Sequence, residues 1–284
     1  MNPVAHAVRL GAARGWIEFK QHIGNPQELW FDVVTTAAVV VVIFLQRGSV
    51  VPGTTFSLAA ATLPSVIGMS VALHGVTGGV AALAVEREDG TLLRVKALPQ
   101  GMVGYLVARV VSVSANTAAG VLVMLVAGLL LVPGLTSAGP GGWLAVAWTT
   151  LLGLLFALPL GAIVGSLATS PQTAAGLSML TVGGLTAVSG VFYPIAALPA
   201  WLQGLAQVFP VYWLGLGMRS ALLPDAAAAA EIGGSWRPAQ TTLVLAAWAV
   251  AALLAAPPIL RRMARRESGS MMEERRHRAM QRVG

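Results

Sequence analysis

The chain has 284 residues, of which 56% are hydrophobic and 10% are charged, and it contains no cysteine. A soluble domain carries about 25% charged residues, so the composition excludes an ordinary soluble fold and predicts an integral membrane protein with room for six spans of about 20 residues. The absence of cysteine excludes disulfides, thiolate metal sites and cysteine nucleophiles. The net charge of +7 does not predict nucleic-acid binding, because eight of the eighteen Lys and Arg residues fall in the last 24 positions, where anionic lipids are the expected partner.

Residues 1–28 predict an amphipathic helix that lies in the membrane interface and connects to the first span. Apolar side chains recur at spacings of three and four, whereas Arg14 and Glu18 occupy other faces. The pair Asn25-Pro26 predicts the turn into the span. A soluble helix packed on a partner protein is the alternative, and no secretory signal peptide is predicted. The apolar positions are Val8, Ala12, Trp16, Phe19, Ile23, Pro26 and Trp30.

Six long apolar segments predict six transmembrane helices within a single domain, residues 1–260. The second segment carries small residues on one stripe, among them Gly68, Gly75 and Gly79, and this pattern predicts close approach by a neighbouring helix. Residues 261–284 are predicted to form a basic tail. The predicted spans are 29–45, 58–85, 102–132, 143–168, 173–192 and 238–260.

A charged segment, residues 86–101, separates the second span from the third and reads EREDGTLLRVKALPQG. Six of its sixteen side chains are ionised, and hydrocarbon cannot solvate such a group, so the segment is expected in water or against another protein. Residues 91–98 predict a short helix that projects from the membrane and suits transmission of force to a soluble partner. Its apolar face comprises Leu92, Val95 and Leu98, with Arg94 opposite and with Gly90 and Pro99 at the two ends.

Residues 193–223 contain three prolines among aromatic and aliphatic residues. The pieces between Pro194, Pro199 and Pro210 are too short to cross a bilayer, and helices broken at membrane depth need protein or water to satisfy their backbone groups. We therefore expect one or two short helices that dip into the outer leaflet. Residues 224–237 are expected to be an exposed loop whose alanine run has no evident chemistry.

The distribution of basic residues predicts that both termini and the charged segment are cytoplasmic. Fourteen Lys and Arg residues lie in these three regions, against three in the loops of the other side, namely Arg47, Arg219 and Arg237. No phosphate-binding loop occurs in the sequence, and Asp32 is the one carboxylate near a predicted span. If the chain moves a substrate, we expect the energy to come from another protein that acts on the charged segment at the cytoplasmic face.

Two motifs resemble those of type-2 ATP-binding-cassette (ABC) exporter permeases. Their order also matches, as do the amphipathic N-terminal helix and the six-span layout with both ends inside, so the resemblance covers essentially the whole chain. Within the family, the chain is most similar to bacterial antibiotic-resistance permeases of the daunorubicin-exporter type. The first motif is Glu86-Arg87-Glu88-Asp89-Gly90-Thr91-Leu92 with Pro99 and Arg109 after it, and the second is Ser189-Gly190-Val191-Phe192-Tyr193-Pro194 with Leu198-Pro199, Trp201-Leu202 and Pro210 after it.

The resemblance implies an all-α membrane fold: six transmembrane helices, an N-terminal interfacial helix, a short cytoplasmic coupling helix between spans two and three, and broken outer-leaflet helices between spans five and six. It implies a permease, not an enzyme, that exports a hydrophobic drug, natural product or lipid from a bacterial plasma membrane. The implied partners are a second permease copy, or a related permease, and two cytosolic ABC ATPase subunits. ATP and Mg belong to those ATPases, and this chain is expected to bind no cofactor or metal.

The resemblance also implies roles for particular residues, none of them catalytic. The N-terminal helix and the charged segment couple to the ATPase, spans two and five line the substrate pathway, and the segment after span five forms an outer gate. The expected coupling residues are Glu86, Arg87, Glu88, Gly90, Thr91, Leu92, Arg94, Val95, Leu98, Trp16 and Phe19. The pathway candidates are Met69, Leu73, His74, Met179, Val182 and Leu185, and the gate candidates are Phe192, Tyr193 and Pro194.

Several alternatives stay open on the sequence. His74 either has a functional role, by titrating or by binding substrate, or it hydrogen-bonds a neighbouring helix. Arg109 either contacts an anionic substrate or has a structural role, in which it reaches lipid phosphate or pairs with Glu86 or Glu88. The other pathway candidates also suit ordinary helix packing. A polysaccharide or lipid-linked glycan is an alternative cargo, although the small aliphatic lining favours a compact lipophilic molecule. His74 and Ser189 also suggest a rhomboid-like intramembrane serine protease as an alternative. Their predicted depths in the membrane differ by roughly 8 Å, which argues against a hydrogen bond between nucleophile and base.

Overall fold

The computed structural model describes residues 2–51, 57–88, 100–132, 139–168 and 171–280, with the backbone alone described at 31, 81–88, 171–172, 261 and 263–280. Within these ranges the secondary structure is helical, and the strand-like pairing is confined to one bridge between Val50 and Ser57. The α-helices are α1 (Pro3–Gly24), α2 (Pro26–Leu45), α3 (Leu58–Glu88), α4 (Gly101–Leu131), α5 (Pro140–Leu167), α6 (Pro171–Ala187), α7 (Ala200–Val208), α8 (Pro210–Leu222) and α9 (Pro238–Met280).

Five helices in the described ranges are long and apolar enough to cross a membrane. The remaining predicted span, the fifth, corresponds to α6, which has 17 residues and a length of about 26 Å, slightly less than the ~30 Å of a hydrocarbon core. The predicted all-α membrane fold is therefore confirmed, with one short span. The five long segments are Pro26–Gly48, Leu58–Val80, Gly101–Leu131, Pro140–Leu167 and Pro238–Leu260.

Helix boundaries follow proline and glycine signals and differ from the predicted bounds at several ends. The predicted turn at Asn25 is confirmed, because this residue separates α1 from α2 and its side chain accepts a hydrogen bond from the Gln27 amide at 3.1 Å; α2 starts at Pro26 rather than at 29. Helix α6 ends before 192, because Gly190 turns the chain at a φ of +63°. Helix α9 continues to Met280 through the predicted tail, whose Arg, Glu and Met residues favour helix.

Helix α3 is the centre of the bundle. In its membrane-length segment 78% of the residues are buried, against 6% in α2, which lies at the periphery. Helices α3 and α5 approach closely: a Cβ atom at Gly79 would lie under 3.0 Å from the Leu158 carbonyl oxygen, and one at Gly161 under 3.0 Å from the Val76 carbonyl oxygen. Gly68 faces α8 in the same way. The predicted close approach along the glycine stripe of span two is thus confirmed.

Helix α1 packs on the first turns of α4 through small residues. Gly11 and Gly15 are buried against the backbone of Gly104 and Ala108. The apolar face predicted from the sequence lies elsewhere on the helix, and its member Trp16 is 49% exposed. The intramolecular contact therefore uses the glycines, where backbones can approach, and leaves the large apolar side chains on the outside of the bundle.

The broken segment forms two short helices, as predicted. Helix α8 is buried along almost its whole length, with Leu214 packed against Gly68 of α3 and Gly153 of α5. Helix α7 is largely exposed, and Trp201 on it is 70% exposed. The indole N–H of Trp248 on α9 donates to the Val208 carbonyl oxygen at 2.9 Å, at the point where the two short helices meet.

The prediction of an exposed loop over 224–237 is confirmed only in part, because Asp225 and residues 233–235 are exposed whereas other parts of the segment are buried. The segment forms two 3₁₀-helices, Asp225–Ala230 and Ile232–Gly234, and Ala227 and Ala228 in the first of them are buried. The reason is an ion pair: the side chain of Glu231 between the two turns is only 7% exposed and bonds to an arginine of α8. This ion pair attaches the middle of the segment to α8.

We predict that Gly11→Ala destabilises the protein by about 1–3 kcal/mol, the cost of an overpacked contact. The added Cβ meets the Gly104 carbonyl, so α1 must move away from α4. Gly24→Ala is the matched control, because nothing lies within 4 Å of its Cβ position and alanine normally stabilises a helix by ~0.5–1 kcal/mol relative to glycine. Thermal unfolding of the purified protein in detergent measures both variants, and equal shifts would contradict the α1–α4 contact.

Candidate functional site

A buried ion pair joins three segments at the end of the bundle where α3 and α9 begin, the predicted outer end. Arg219, in the last turn of α8, is 4% exposed. Its Nε donates to Glu231 Oε1 at 2.6 Å and its Nη2 to Oε2 at 3.1 Å, while its Nη1 donates to Ser65 Oγ on α3 at 2.6 Å. We name Arg219, Glu231 and Ser65 the Arg219 cluster. Its bidentate, charge-assisted bonds offset the cost of burying two charges.

A second arginine holds the short helices to α9. The Nη1 of Arg237 donates to Gln207 Oε1 at 2.8 Å, its Nη2 donates to the Tyr212 hydroxyl, and its guanidinium lies over the Trp213 ring at 5.0 Å from the centroid. Arg237 has a φ of +48°, which residues other than glycine rarely adopt. We name Arg237, Gln207, Tyr212 and Trp213 the Arg237 cluster. It fixes the position of α7 and α8 relative to the start of α9.

The three gate candidates lie together, partly buried, in the turn after α6. The Phe192 carbonyl oxygen accepts a hydrogen bond from Gln46 Nε2 at 3.4 Å, and the Tyr193 hydroxyl donates to the Ala187 carbonyl oxygen. Pro194 precedes a short 3₁₀-helix, Ile195–Ala197. The structure therefore anchors the turn to the end of α2 and to the end of α6.

A small cavity connects this turn to the Arg219 cluster. Its volume is about 30 Å³, and Tyr193 and Pro194 line it together with Thr62 and all three members of the cluster. Thr62 is 1% exposed, and its hydroxyl has no hydrogen-bond partner among the described residues. A cavity of this size, with Thr62, Ser65, Arg219 and Glu231 in an otherwise mainly apolar lining, has room for one or two water molecules.

The pathway candidates on α3 occupy two different faces. The Nδ1–H of His74 donates to the Ser70 carbonyl oxygen at 2.8 Å, and the ring lies against Gly120 of α4. His74 thus bonds to its own helix rather than to a neighbour, within the α3–α4 contact. Met69 and Leu73 are one turn apart, so they share another face of α3, where both are partly buried.

The pathway candidates on α6 also point in different directions. Met179 is 65% exposed on the outside of the bundle, whereas Val182 is 3% exposed and packs in the core. Leu185 is partly buried against the core. The structure does not bring the candidates of α3 and α6 onto one continuous surface of a single chain, and their place in a pathway stays a prediction.

A family model described as ABC-2 type transporter matches residues 12–223. The chain belongs to the ABC-2 type transporter family. The match starts within α1 and ends just after α8, so it includes the central helix, the broken segment and Arg219. No curated protein matches the chain. Family membership makes the chain the membrane component of a transporter, a permease that is not itself catalytic.

The coupling candidates of the permease are only partly within the described ranges. On α1 the rings of Trp16 and Phe19 contact each other, with centroids 5.1 Å apart. Glu86 and Glu88 belong to the last turn of α3, but their side chains lie outside the described part, so the proposed pairing of Arg109 stays a prediction. The remaining candidates, which also lie outside the described ranges, are Gly90, Thr91, Leu92, Arg94, Val95 and Leu98, and the Arg87 side chain is outside them too.

The corner between α1 and α2 carries a contact that the sequence analysis missed. His22 Nε2 lies 2.9 Å from Asp32 Oδ2, and its Nδ1 contacts a carboxylate oxygen of Glu28. These contacts connect the end of α1 to the first two turns of α2. They give Asp32, which the sequence placed near the membrane boundary, a partner on the neighbouring helix.

Two further residues escaped prediction, Arg219 and Glu231, because charge counting assigned the arginine to an external loop. A signal was present in the sequence: Asp225 and Glu231 are the two acidic residues between Asp89 and Glu267. An acidic residue in so apolar a region is expected to have a partner. The sequence does not say which arginine is that partner.

We predict that Arg237→Met destabilises the permease by about 2 kcal/mol or more, because it loses two hydrogen bonds of about 1 kcal/mol each and a cation–π contact. Arg47→Met is the matched control, since Arg47 is exposed and its described contact is the Phe44 ring at 5.3 Å. Thermal unfolding measures stability, and hydrogen exchange of Pro210–Leu222 locates the loss. A variant that leaves exchange in α8 unchanged would contradict the role of the Arg237 cluster.

Proposed function

We propose that this permease exports a hydrophobic drug, natural product or lipid from the cytoplasm or the inner leaflet of a bacterial plasma membrane, with both of its termini in the cytoplasm. The energy comes from two separate ATPase subunits, which bind the ATP and Mg. The observation that carries the proposal is the ABC-2 family match over 12–223, since permeases of this family typically work with ABC ATPases. The sequence resemblance to drug-exporting members supports the direction and the cargo.

The packing of α1 supports a route for coupling. Gly11 and Gly15 attach α1 to the first turns of α4, and α4 directly follows the charged segment 86–101. An ATPase that contacts both α1 and the charged segment therefore pushes on one end of α4 at two places. Helix α3 leads into the same charged segment, so motion of that segment also moves the central helix of the bundle. The helices then move relative to one another as rigid bodies.

The exposed face of α6 supports a second permease copy. Met179 and Leu180 are 65% and 74% exposed, and positions 176, 183 and 184 are glycines with open space around their Cβ positions. No charged residue occurs between Pro171 and Ala187. A smooth apolar face of this kind suits close approach by another helix and a lipophilic cargo that passes between the copies. The glycan alternative would need polar rows, and the exposed positions of α6 from 175 to 187 carry no polar side chain.

We predict that Glu86→Ala and Glu88→Ala uncouple the complex. In the purified permease–ATPase complex, stimulation of ATP hydrolysis by daunorubicin should fall roughly tenfold, equivalent to ~1.4 kcal/mol of lost coupling, while assembly persists. Asp225→Ala, an exposed acidic residue at the predicted outer end, is the control and should leave stimulation intact. Wild-type permease that associates with no nucleotide-binding subunit would overturn the proposed function.

We also predict that a cysteine at Met179 links two permease copies. The chain has no cysteine, so Met179→Cys gives a single reactive thiol in the membrane. Mild oxidation of membranes should produce a disulfide-linked dimer, resolved by non-reducing electrophoresis. Leu254→Cys on α9 is the control, because Leu254 is 72% exposed yet lies on a different helix. Equal cross-linking of both variants would indicate random collision and would contradict a dimer through α6.

A further inference from the structure

The Arg219 cluster lies where four parts of the chain meet. Arg219 ends α8, Ser65 is in the second turn of α3, Glu231 separates the two 3₁₀-helices of the outer loop, and Tyr193 of the gate turn lines the adjoining cavity. Glu231 is 12 residues from Arg219 in the chain, and Ser65 is 154 residues from it. Displacement of any one of these parts must change the environment of the ion pair.

The ion pair is one of several contacts that bury α8. Apolar contacts already hold this helix, with Leu214 packed against Gly68 and Gly153, and Tyr212 and Leu216 fully buried. A buried ion pair contributes little net stability compared with apolar side chains of similar size, because desolvation of two charges opposes their attraction. The ion pair instead fixes the relative position of three segments. Helix α8, helix α3 and the loop that contains Glu231 must all be in place before Arg219 can bond to both Glu231 and Ser65.

The cavity beside the ion pair gives water a place to enter. Its lining includes the Thr62 hydroxyl, which has no hydrogen-bond partner among the described residues, together with Arg219, Glu231, Tyr193 and Pro194. Outward movement of the gate turn removes that wall, and water then solvates both charges and weakens their attraction. Return of the turn expels the water and restores the pair.

We propose that the Arg219 cluster positions the outer gate, holding the turn at 192–194 closed while Arg219, Glu231 and Ser65 are bonded and releasing it when water reaches them. The inference rests on the proposed function, in which this turn is the gate of an exporter. Arg219 and Glu231 are positioning residues: they act through the gate turn and need not touch the cargo. The corresponding event in transport is opening of the outer end.

The test uses a cysteine as a reporter of opening in the full-length permease. Thr62→Cys is the reporter, because Thr62 is 1% exposed and lines the cavity. Ser178→Cys, 2% exposed on α6, is the reporter control, since Ser178 does not line the cavity. Each is reconstituted into liposomes without ATPase or drug, and the rate of reaction with a charged, membrane-impermeant maleimide is measured.

Two variants of the cluster are combined with each reporter. Glu231→Gln removes one charge, and the pair Arg219→Met with Glu231→Leu removes both, leaving no lone buried charge to unfold the protein. We expect the Thr62→Cys reaction to accelerate at least about tenfold in both, as local opening becomes easier, with the Ser178→Cys rate unchanged. Asp225→Asn, an exposed acidic residue of the same loop, should change neither rate.

Two results would overturn the inference. An unchanged Thr62→Cys rate in the doubly neutral variant means that the ion pair does not restrain the gate, and an equal rise for both reporters means general loosening of the bundle. The measurement contains no ATPase and no cargo, so its failure leaves the proposed function untouched. Conversely, a permease that associates with no ATPase refutes the proposed function and leaves the labelling result standing.

Discussion

The structure depends on how closely helices can approach the central helix α3. Inside a membrane no hydrophobic effect drives helix association, so packing contacts must hold the bundle together. Gly79 and Gly161 let the α3 and α5 backbones come together, Gly68 does the same for α8, and Gly11 attaches α1 to α4. Without these small residues the helices would separate by the width of a side chain, and the buried α8 would lose its pocket.

Close packing creates a second requirement, because it buries polar groups that water cannot reach. Helix α8 is broken from α7 at Phe209 and runs within the bundle, where Arg219 and Arg237 bond to side chains of neighbouring segments. Arg219 connects α8 to α3 and to the outer loop, and Arg237 connects it to α9. In the described part of this end of the bundle, ion pairs and hydrogen bonds therefore join segments that apolar contacts also hold, whereas the middle of the bundle is mainly apolar.

This division between an apolar middle and a polar end suits a transporter. Contacts made of backbone and small side chains hold helices as rigid bodies, whereas hydrogen bonds and ion pairs have two discrete states, bonded or solvated. In the proposed exporter, movement enters at α1 and the start of α4 and must reach the turn at 192–194 through α3. The Arg219 cluster lies at the far end of that route, where α3 begins.

The long apolar segments, the corner at Asn25, the break at the prolines and, through short motifs, the family can all be predicted from the sequence, although not the bounds of every helix. Periodicity and hydropathy suffice for these features because they are local. Tertiary structure alone decided that Glu231 pairs with Arg219, that α1 packs through Gly11 rather than through Trp16, and that His74 faces α4. Periodicity shows which residues share a helix face, but it cannot show which helix covers that face. The isolated acidic residue Glu231 indicates that it has a partner, but the sequence does not show which arginine that partner is.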